Sequence, residues 1–275
     1  MSRNRKRVAF LVNEGKAFRP WADPVRDLTG HFIYRCTPTR PPRRAVDAIV
    51  NVGCSTTPEW LVDGTPMLNS PRQVGVSSSK VRTFRWFDRY GIPTVPHSEA
   101  GPTDNGLWVA RTIDRGMQGR GIVIFDGDDP VPEAELYTKL TRRRGLREFG
   151  ILYGPNGVVY RTTLKRKRSG REYTREEELI RSHNNGWAVT GAMPQGWTVY
   201  HDQLLQDIAM RCSRILPWGR ADLLVDTLVP ADEAEVFVLE LNSRPGVDDS
   251  RSKEAFANLV DDWLRAGTYV HRRVA

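Results

Sequence analysis

Residues 236–246 read VFVLELNSRPG, and the reading of the whole chain turns on them. The run Val236-Phe237-Val238-Leu239 is apolar throughout and rich in β-branched and aromatic side chains, which predicts a buried strand. At its end the pattern breaks. Glu240 and Asn242 stand two residues apart, and on a strand residues i and i+2 face the same side. A carboxylate and an amide oxygen therefore emerge together where the strand meets Ser-Arg-Pro-Gly. Hard oxygen donors placed this way suit Mg²⁺, which takes one or two carboxylates and completes its shell with water and substrate phosphates. An isolated Glu-x-Asn is better explained by a strand end facing solvent, so the neighbouring segments must decide otherwise.

Immediately upstream, residues 219–226 (GRADLLVD) form a predicted strand carrying Asp222, joined to 236–242 by a turn at 230–234. Two adjacent antiparallel strands bring Asp222 to Glu240 and Asn242, a set with room for two Mg²⁺ ions bridged by Glu240. Helical periodicity marks 201–215, with Leu204, Leu205, Ile208 and Ile215 on one face, and 252–264 after the motif. Residues 147–153 and 158–164 are strands joined by Gly-Pro-Asn-Gly, an antiparallel hairpin that runs into Lys165-Arg166-Lys167-Arg168. A polar loop at 181–187 contains Arg181, His183, Asn184 and Asn185.

Further towards the N-terminus, strands at 107–112 and 122–125 flank a loop with Gly116, Gly119 and Gly121. Such a loop lets backbone N–H groups approach phosphates closely, although it is neither a P-loop nor a dinucleotide fingerprint. Residues 135–140 form a short strand. Lys80 precedes an amphipathic helix over 81–90, N-capped by Ser79 or a neighbour, that Gly91 and Pro93 end. Strands at 7–13, 31–36 and 47–54 suggest a small parallel α/β lobe, closed by turn chemistry at 66–71.

Composition bounds these readings. The 275 residues suffice for one large domain or two to three lobes around a real core. No run approaches the roughly 20 apolar residues of a membrane span. The N-terminal apolar stretch, 8–12, is too short for a secretion signal. Three widely spaced cysteines without a Cys-x-x-Cys argue against a disulfide framework or a zinc site, and for a reducing, cytoplasmic setting. Lys and Arg number 41 against 33 Asp and Glu, a net charge of +8, which suits nucleotide phosphates, an acidic substrate or nucleic acid.

Through GRADLLVD, Glu240-Leu241-Asn242 with Pro245-Gly246, the loop RGMQGRGI, Lys80 before Gly91-Ile92-Pro93, and ELYTK, the chain resembles the ATP-grasp superfamily. Its nearest resemblance is to glutathione-synthetase-like and ribosomal-protein-glutamate-ligase-like members, including short versions common in phages. The resemblance implies an α/β (α+β) ATP-grasp fold: a pre-domain at 1–75, a lid lobe at 76–134 with the glycine loop, and a C-terminal lobe at 135–275 with the metal site, ATP being clasped between antiparallel sheets. It implies an ATP- and Mg²⁺-dependent carboxylate–amine ligase working through an acylphosphate. Lys80 and Arg111 would hold ATP phosphates, and the loop with Gly116, Gly119, Arg120 and Gly121 would close over them. The segment 135–139, with Glu135, Tyr137, Thr138 and Lys139, would meet the adenine, and Glu148 would also belong to the nucleotide site. Lys165, Arg181 and Asn184 would serve the transferring phosphoryl group and the acceptor, which is a small molecule or an anionic macromolecule.

Two positions depart from the pattern: Arg111 stands where many members have Lys, and Gly150 where many have Arg. Loss of the latter cation shifts its task to Arg147 or Lys165, or signals another acceptor or weakened catalysis. The alternatives are an ATP-grasp kinase acting on a hydroxyl, and a nucleotide- or nucleic-acid-binding module with weakened catalysis.

Overall fold

Strand β1 (Arg7–Leu11) is buried along all but its first residue, as expected of a strand covered on both faces. A computed structural model describes residues 5–115, 120–181 and 185–267, the Glu176 side chain excepted. From β1 the chain returns through helix α1 (Arg19–Thr29) to β2 (Phe32–Cys36). Strands β3 (Ala48–Asn51) and β4 (Met67–Leu68) then extend the sheet on the other side, giving a parallel order β2-β1-β3-β4. Sequence patterning misses α1 because Pro20 and Pro24 punctuate it. Pro20 sits in the first turn, where no N–H is needed, and the burial of Trp21, Ala22 and Val25 holds the helix past Pro24.

The turn expected at 66–71 instead contains β4 and the capped start of α2 (Pro71–Ser77). Helix α3 (Lys80–Tyr90) begins with Ser79 Oγ accepting the Arg82 N–H at 3.1 Å and ends at Gly91, whose φ is +59°. A second, antiparallel sheet follows. It comprises β5 (His97–Ser98), β6 (Leu107–Arg111), β7 (Ile122–Asp126) and β8 (Leu136–Lys139), in the order β5-β8-β6-β7. Strand β8 pairs with β5 and β6, so this sheet continues past the lobe boundary expected at 134/135.

The third sheet is antiparallel, in the order β11-β10-β9-β12-β13, with helix α4 (Arg175–Leu179) preceding its edge strand β11 and helix α5 (Val199–Ser213) between β11 and β12. Its other members are β9 (Leu146–Tyr153), β10 (Val159–Lys167), β12 (Gly219–Asp226) and β13 (Val236–Asn242), and β11 spans Trp187–Thr190. Phe149, Ile151, Leu223 and Val238 pack from one face against Leu205 and Ile208 of α5 and Phe84 and Phe87 of α3. Helix α6 (Ser250–Arg265) leaves this sheet and packs back on the first one. Its Phe256, Leu259 and Val260 share a core with Val8, Phe10, Val25 and Val50, and with Leu152 of β9. Phe256 is fully buried, edge-on to Phe10 at 6.3 Å and 5.0 Å from the Trp218 ring.

Candidate active site

In an antiparallel sheet, paired residues face the same side. The register of the third sheet therefore sorts the face turned away from α5, which α6 meets at Leu152, into rows. Thr163, Gly150, Asp222 and Glu240 form one row, and Arg161, Leu152, Arg220 and Asn242 form the next. Lys165 and Glu148, joined by an ion pair, stand on the other side of the first row. Pairing steps from Leu223–Val238 to Asp222–Glu240, which leaves Leu239 as a bulge. The extra residue re-aims the strand end, and Glu240 lands directly across from Asp222.

Each carboxylate of this face is held by a cation. Lys80 Nζ lies 2.6 Å from Glu240 Oε1, and Arg220 Nε donates to Asp222 Oδ1 at 2.8 Å. Lys165 pairs with Glu148 and also donates to the Arg181 carbonyl at 2.8 Å, while the Arg181 guanidinium stands 3.8 Å from Glu148. Lys80 and Glu148 are each only 7% exposed. Burial pushes the Glu148 carboxyl above its ordinary range although Lys165 pulls the other way. Burial also opposes ionisation of Asp222, but Arg220, Lys165 and Lys80 together outweigh it and hold the carboxyl below its usual value. The field of Asp222 in turn raises Arg220.

Two guanidinium groups are less well provided. Burial lowers Arg111, with Glu240 acting against it, and burial also lowers Arg181. The Nε of each is buried without a hydrogen-bond partner among the described residues. A buried donor left unsatisfied is costly, and an anion supplied from outside removes the cost. Arg111 ends β6, where the chain turns into the glycine loop. The start of that loop is fastened to α3: Lys80 and Val81 donate their N–H groups to the Asp114 carbonyl and Oδ1 at 3.2 and 3.0 Å.

Of the loop residues, Gly116 and Gly119 lie outside the described residues, as do His183 and Asn184. Gly121 has φ +70°, and a Cβ there would stand 2.8 Å from Ile113 Cγ1, so the loop exit requires glycine. Arg120 is exposed beside it. In β8 the polar tips are already engaged: Tyr137 donates to the Pro132 carbonyl at 2.6 Å, Lys139 is ion-paired with Asp104, and Thr138 is buried. The Glu135 N–H bonds the Arg111 carbonyl at 3.0 Å, which ties this segment to the phosphate side. Lys80, Arg111, Glu148, Lys165, Arg181, Asp222, Glu240 and Asn242 are thus brought together through ion pairs, shared rows and mutual charge where α3 and β6 meet the third sheet.

Sequence reasoning missed Arg220. A Cβ at Gly150 would lie 2.2 Å from Arg220 Nη2 and 2.4 Å from its Cζ, so the bare position opposite Asp222 is filled by this guanidinium. The cation over position 150 comes from neither Arg147, which faces the other side, nor Lys165, which serves Glu148. The spacing Arg220-x-Asp222 on a strand was the signal that could have found it.

The oxygen set fits Mg²⁺. Asp222 and Glu240 each bring one carboxylate oxygen with no hydrogen bond among the described residues, and Asn242 Oδ1 accepts only the Arg244 N–H, at 2.9 Å. No cluster of three or more His, Cys, Asp or Glu residues able to hold a metal exists among the described residues. Two carboxylates and one amide would leave a hard cation to complete its shell with water and phosphate.

No protein-family model and no curated protein sequence matches the chain. Solved structures do match its fold. D-alanyl-alanine synthetase A from Vibrio cholerae O1 biovar eltor aligns over 95% of this chain and 96% of its own, with TM-score 0.55 and 16% identity. D-alanine–D-alanine ligase from Bacillus anthracis, solved with ATP, aligns over 96% and 98%, with TM-score 0.56 and 11% identity. The RimK domain protein ATP-grasp from Sphaerobacter thermophilus aligns over 92% and 99%, with TM-score 0.53 and 13% identity. The likeness is one of fold: the chain has the mixed α/β ATP-grasp architecture that its sequence motifs resemble.

Proposed function

We propose that this protein is an ATP-dependent carboxylate–amine ligase. The observation that carries the reading is the buried Arg111 Nε, without a hydrogen-bond partner among the described residues, beside the Lys80–Glu240 pair in a fold shared with such ligases. The site sets five cations (Lys80, Arg111, Lys165, Arg181 and Arg220) against three carboxylates (Glu148, Asp222 and Glu240), an excess of positive charge that suits a polyphosphate, and its pairs can exchange partners when one enters. Lys80 and Arg111 bind the ATP phosphates, and release of Lys80 frees Glu240. Asp222, Glu240 and Asn242 would hold Mg²⁺, which would supply positive charge against the phosphates.

The loop with Gly116, Gly119, Arg120 and Gly121 closes over the phosphates and keeps water from the activated acid. The segment 135–139 lies against the adenine. The acid's carboxylate oxygen attacks the γ-phosphorus as the bond to ADP breaks. Phosphoryl transfer asks mainly for positioning and charge neutralisation, which Arg220, Lys165 and Arg181 supply at the face of Asp222 and Glu240. Glu148 holds the latter two in place. An amine then attacks the acyl carbon, phosphate leaves, and the amine loses a proton; Asn184 belongs to the acceptor side. The lobes at 1–75, 76–134 and 135–275 are assigned as pre-domain, lid and catalytic lobe, with β8 staying with the lid sheet. Three free buried cysteines support a reducing, cytoplasmic setting, and burial lifts the Cys36 and Cys212 thiols to about 12, which keeps them inert.

A screen of amino acids and polyamines, read by ADP and phosphate release and by mass spectrometry of the product, tests this. Release that requires both an acid and an amine is expected. A phosphorylated hydroxyl with no free phosphate would overturn the ligase reading in favour of a kinase.

A further inference from the structure

Strand β10 is only half paired on its outer side. The Arg168 N–H bonds the Gly186 carbonyl at 3.1 Å. Bonded pairs in an antiparallel ladder recur at every second residue, so the even-numbered residues of β10 address β11. Arg166 stands opposite Ala188 and Leu164 opposite Thr190, where the ladder stops. Its next rung would join Thr162 to Ala192, but the Ala192 N–H turns instead to Thr190 Oγ1, at 3.2 Å. The main-chain N–H and C=O of Thr162 consequently face outward with no strand opposite among the described residues.

What lies opposite is a groove of about 280 Å³ between this open edge and α6. Arg251, Glu254 and Asn258 line it at helical spacing, and Gly191 closes its rim. Arg251 and Glu254 make no ion pair among the described residues, so the wall offers one free cation and one free anion. Arg161, by contrast, is fixed by Asp249 at 2.5 Å and by Ser252 Oγ. Arg161 shares a row with Arg220, two strands away, and with Asn242, three strands away, or about 10 Å and about 14 Å at ordinary strand spacing. About three to five extended residues cover those distances.

We propose that this groove takes an extended peptide as an added strand, so that one of the two ligase substrates is a peptide held by its main chain. The proposal rests on the ligase reading for its outcome but not for its binding site. Strand addition gives affinity through the backbone and selects side chains at alternate positions. Free charges of both signs suit the dipolar ends and mixed side chains of a peptide. A nucleic acid would instead call for cations and an aromatic platform, and the Tyr160 ring beside the groove is tethered through its hydroxyl to Asp262 at 3.0 Å.

The test uses the full chain labelled with ¹⁵N and titrated with trialanine. Saturable shifts at the Thr162 and Gly191 amides are expected. Thr162→Pro removes the outward N–H while leaving the β9 ladder to the neighbouring residues, so it should abolish the shift at Gly191. Arg251→Ala, a surface change that spares the fold, should weaken trialanine at least tenfold. Mg·ATP binding, followed by thermal shift, should be unchanged in both variants. The proposal is overturned if trialanine gives no saturable shift, if it binds both variants as tightly as wild type, or if only an oligothymidine perturbs these amides. Failure of the wild-type protein to bind Mg·ATP would instead sink the ligase reading and leave the peptide titration interpretable by itself.

Discussion

Strands β3 and β13 both begin as continuous apolar runs and both end at an asparagine. Asn51 closes β3 fully buried, and its amide is consumed by the turn it starts: Nδ2 donates to the Cys54 carbonyl and Oδ1 accepts the Cys54 N–H, each at 2.9 Å. Asn242 closes β13 half-buried, in line with Glu240 and across from Arg220. The difference lies in what covers the sheet. The parallel sheet is packed on both sides, so a polar strand end there must find its partners within the chain. The antiparallel sheet has one face on the core and one carrying the candidate site, so its polar ends can serve a ligand. A strand-end asparagine therefore takes its meaning from the layer above it.

That contrast can be broken at the cover. Phe256→Ala removes a ring shared by α6, Phe10 and Trp218, and should cost about 3–5 kcal/mol in denaturant unfolding. Next comes the face of the candidate site. Glu240→Gln keeps shape but removes the charge shared by Lys80 and the proposed Mg²⁺ site. Turnover should fall on the order of 10²–10³-fold with the melting temperature almost unchanged; near-normal turnover would refute the metal assignment.

The two asparagines can then be compared directly. Asn51→Ala should lower stability by about 1–3 kcal/mol through the orphaned Cys54 groups and leave nucleotide affinity alone. Asn242→Ala should do the reverse, raising the Mg²⁺ concentration needed for half-maximal activity at little cost in unfolding. Equal effects on stability would erase the distinction. Smallest is Gly150→Ala, whose Cβ displaces the Arg220 guanidinium and should slow turnover about tenfold without altering the urea midpoint.

The part of the site that is legible in the sequence is the part that is local. Asp222 and Glu240 sit on consecutive strands joined by a short turn, so antiparallel pairing alone puts them together. Lys80 and Arg111 came from resemblance, since nothing local says that α3 and β6 reach β13. Arg220 stayed hidden because its place depends on the missing side chain of Gly150 on a neighbouring strand. The bulge at Leu239 is invisible in an unbroken apolar run, and α1 is masked by its prolines although burial sustains it. Nor does the strand at 135–140 declare its sheet, because hydrogen bonding to β6 rather than composition decides which sheet a short strand joins.

The position of α6 has a consequence for how the chain comes to be folded. Strands β1 to β4 leave the ribosome early, yet the helix that seals one face of their sheet is built from residues 250–265. Until those residues emerge, Phe10, Val25 and Val50 have no lasting shelter on that side. Contacts of such long sequence separation slow folding and prolong the exposure of apolar surface. Closure of the first sheet therefore waits on the synthesis of α6.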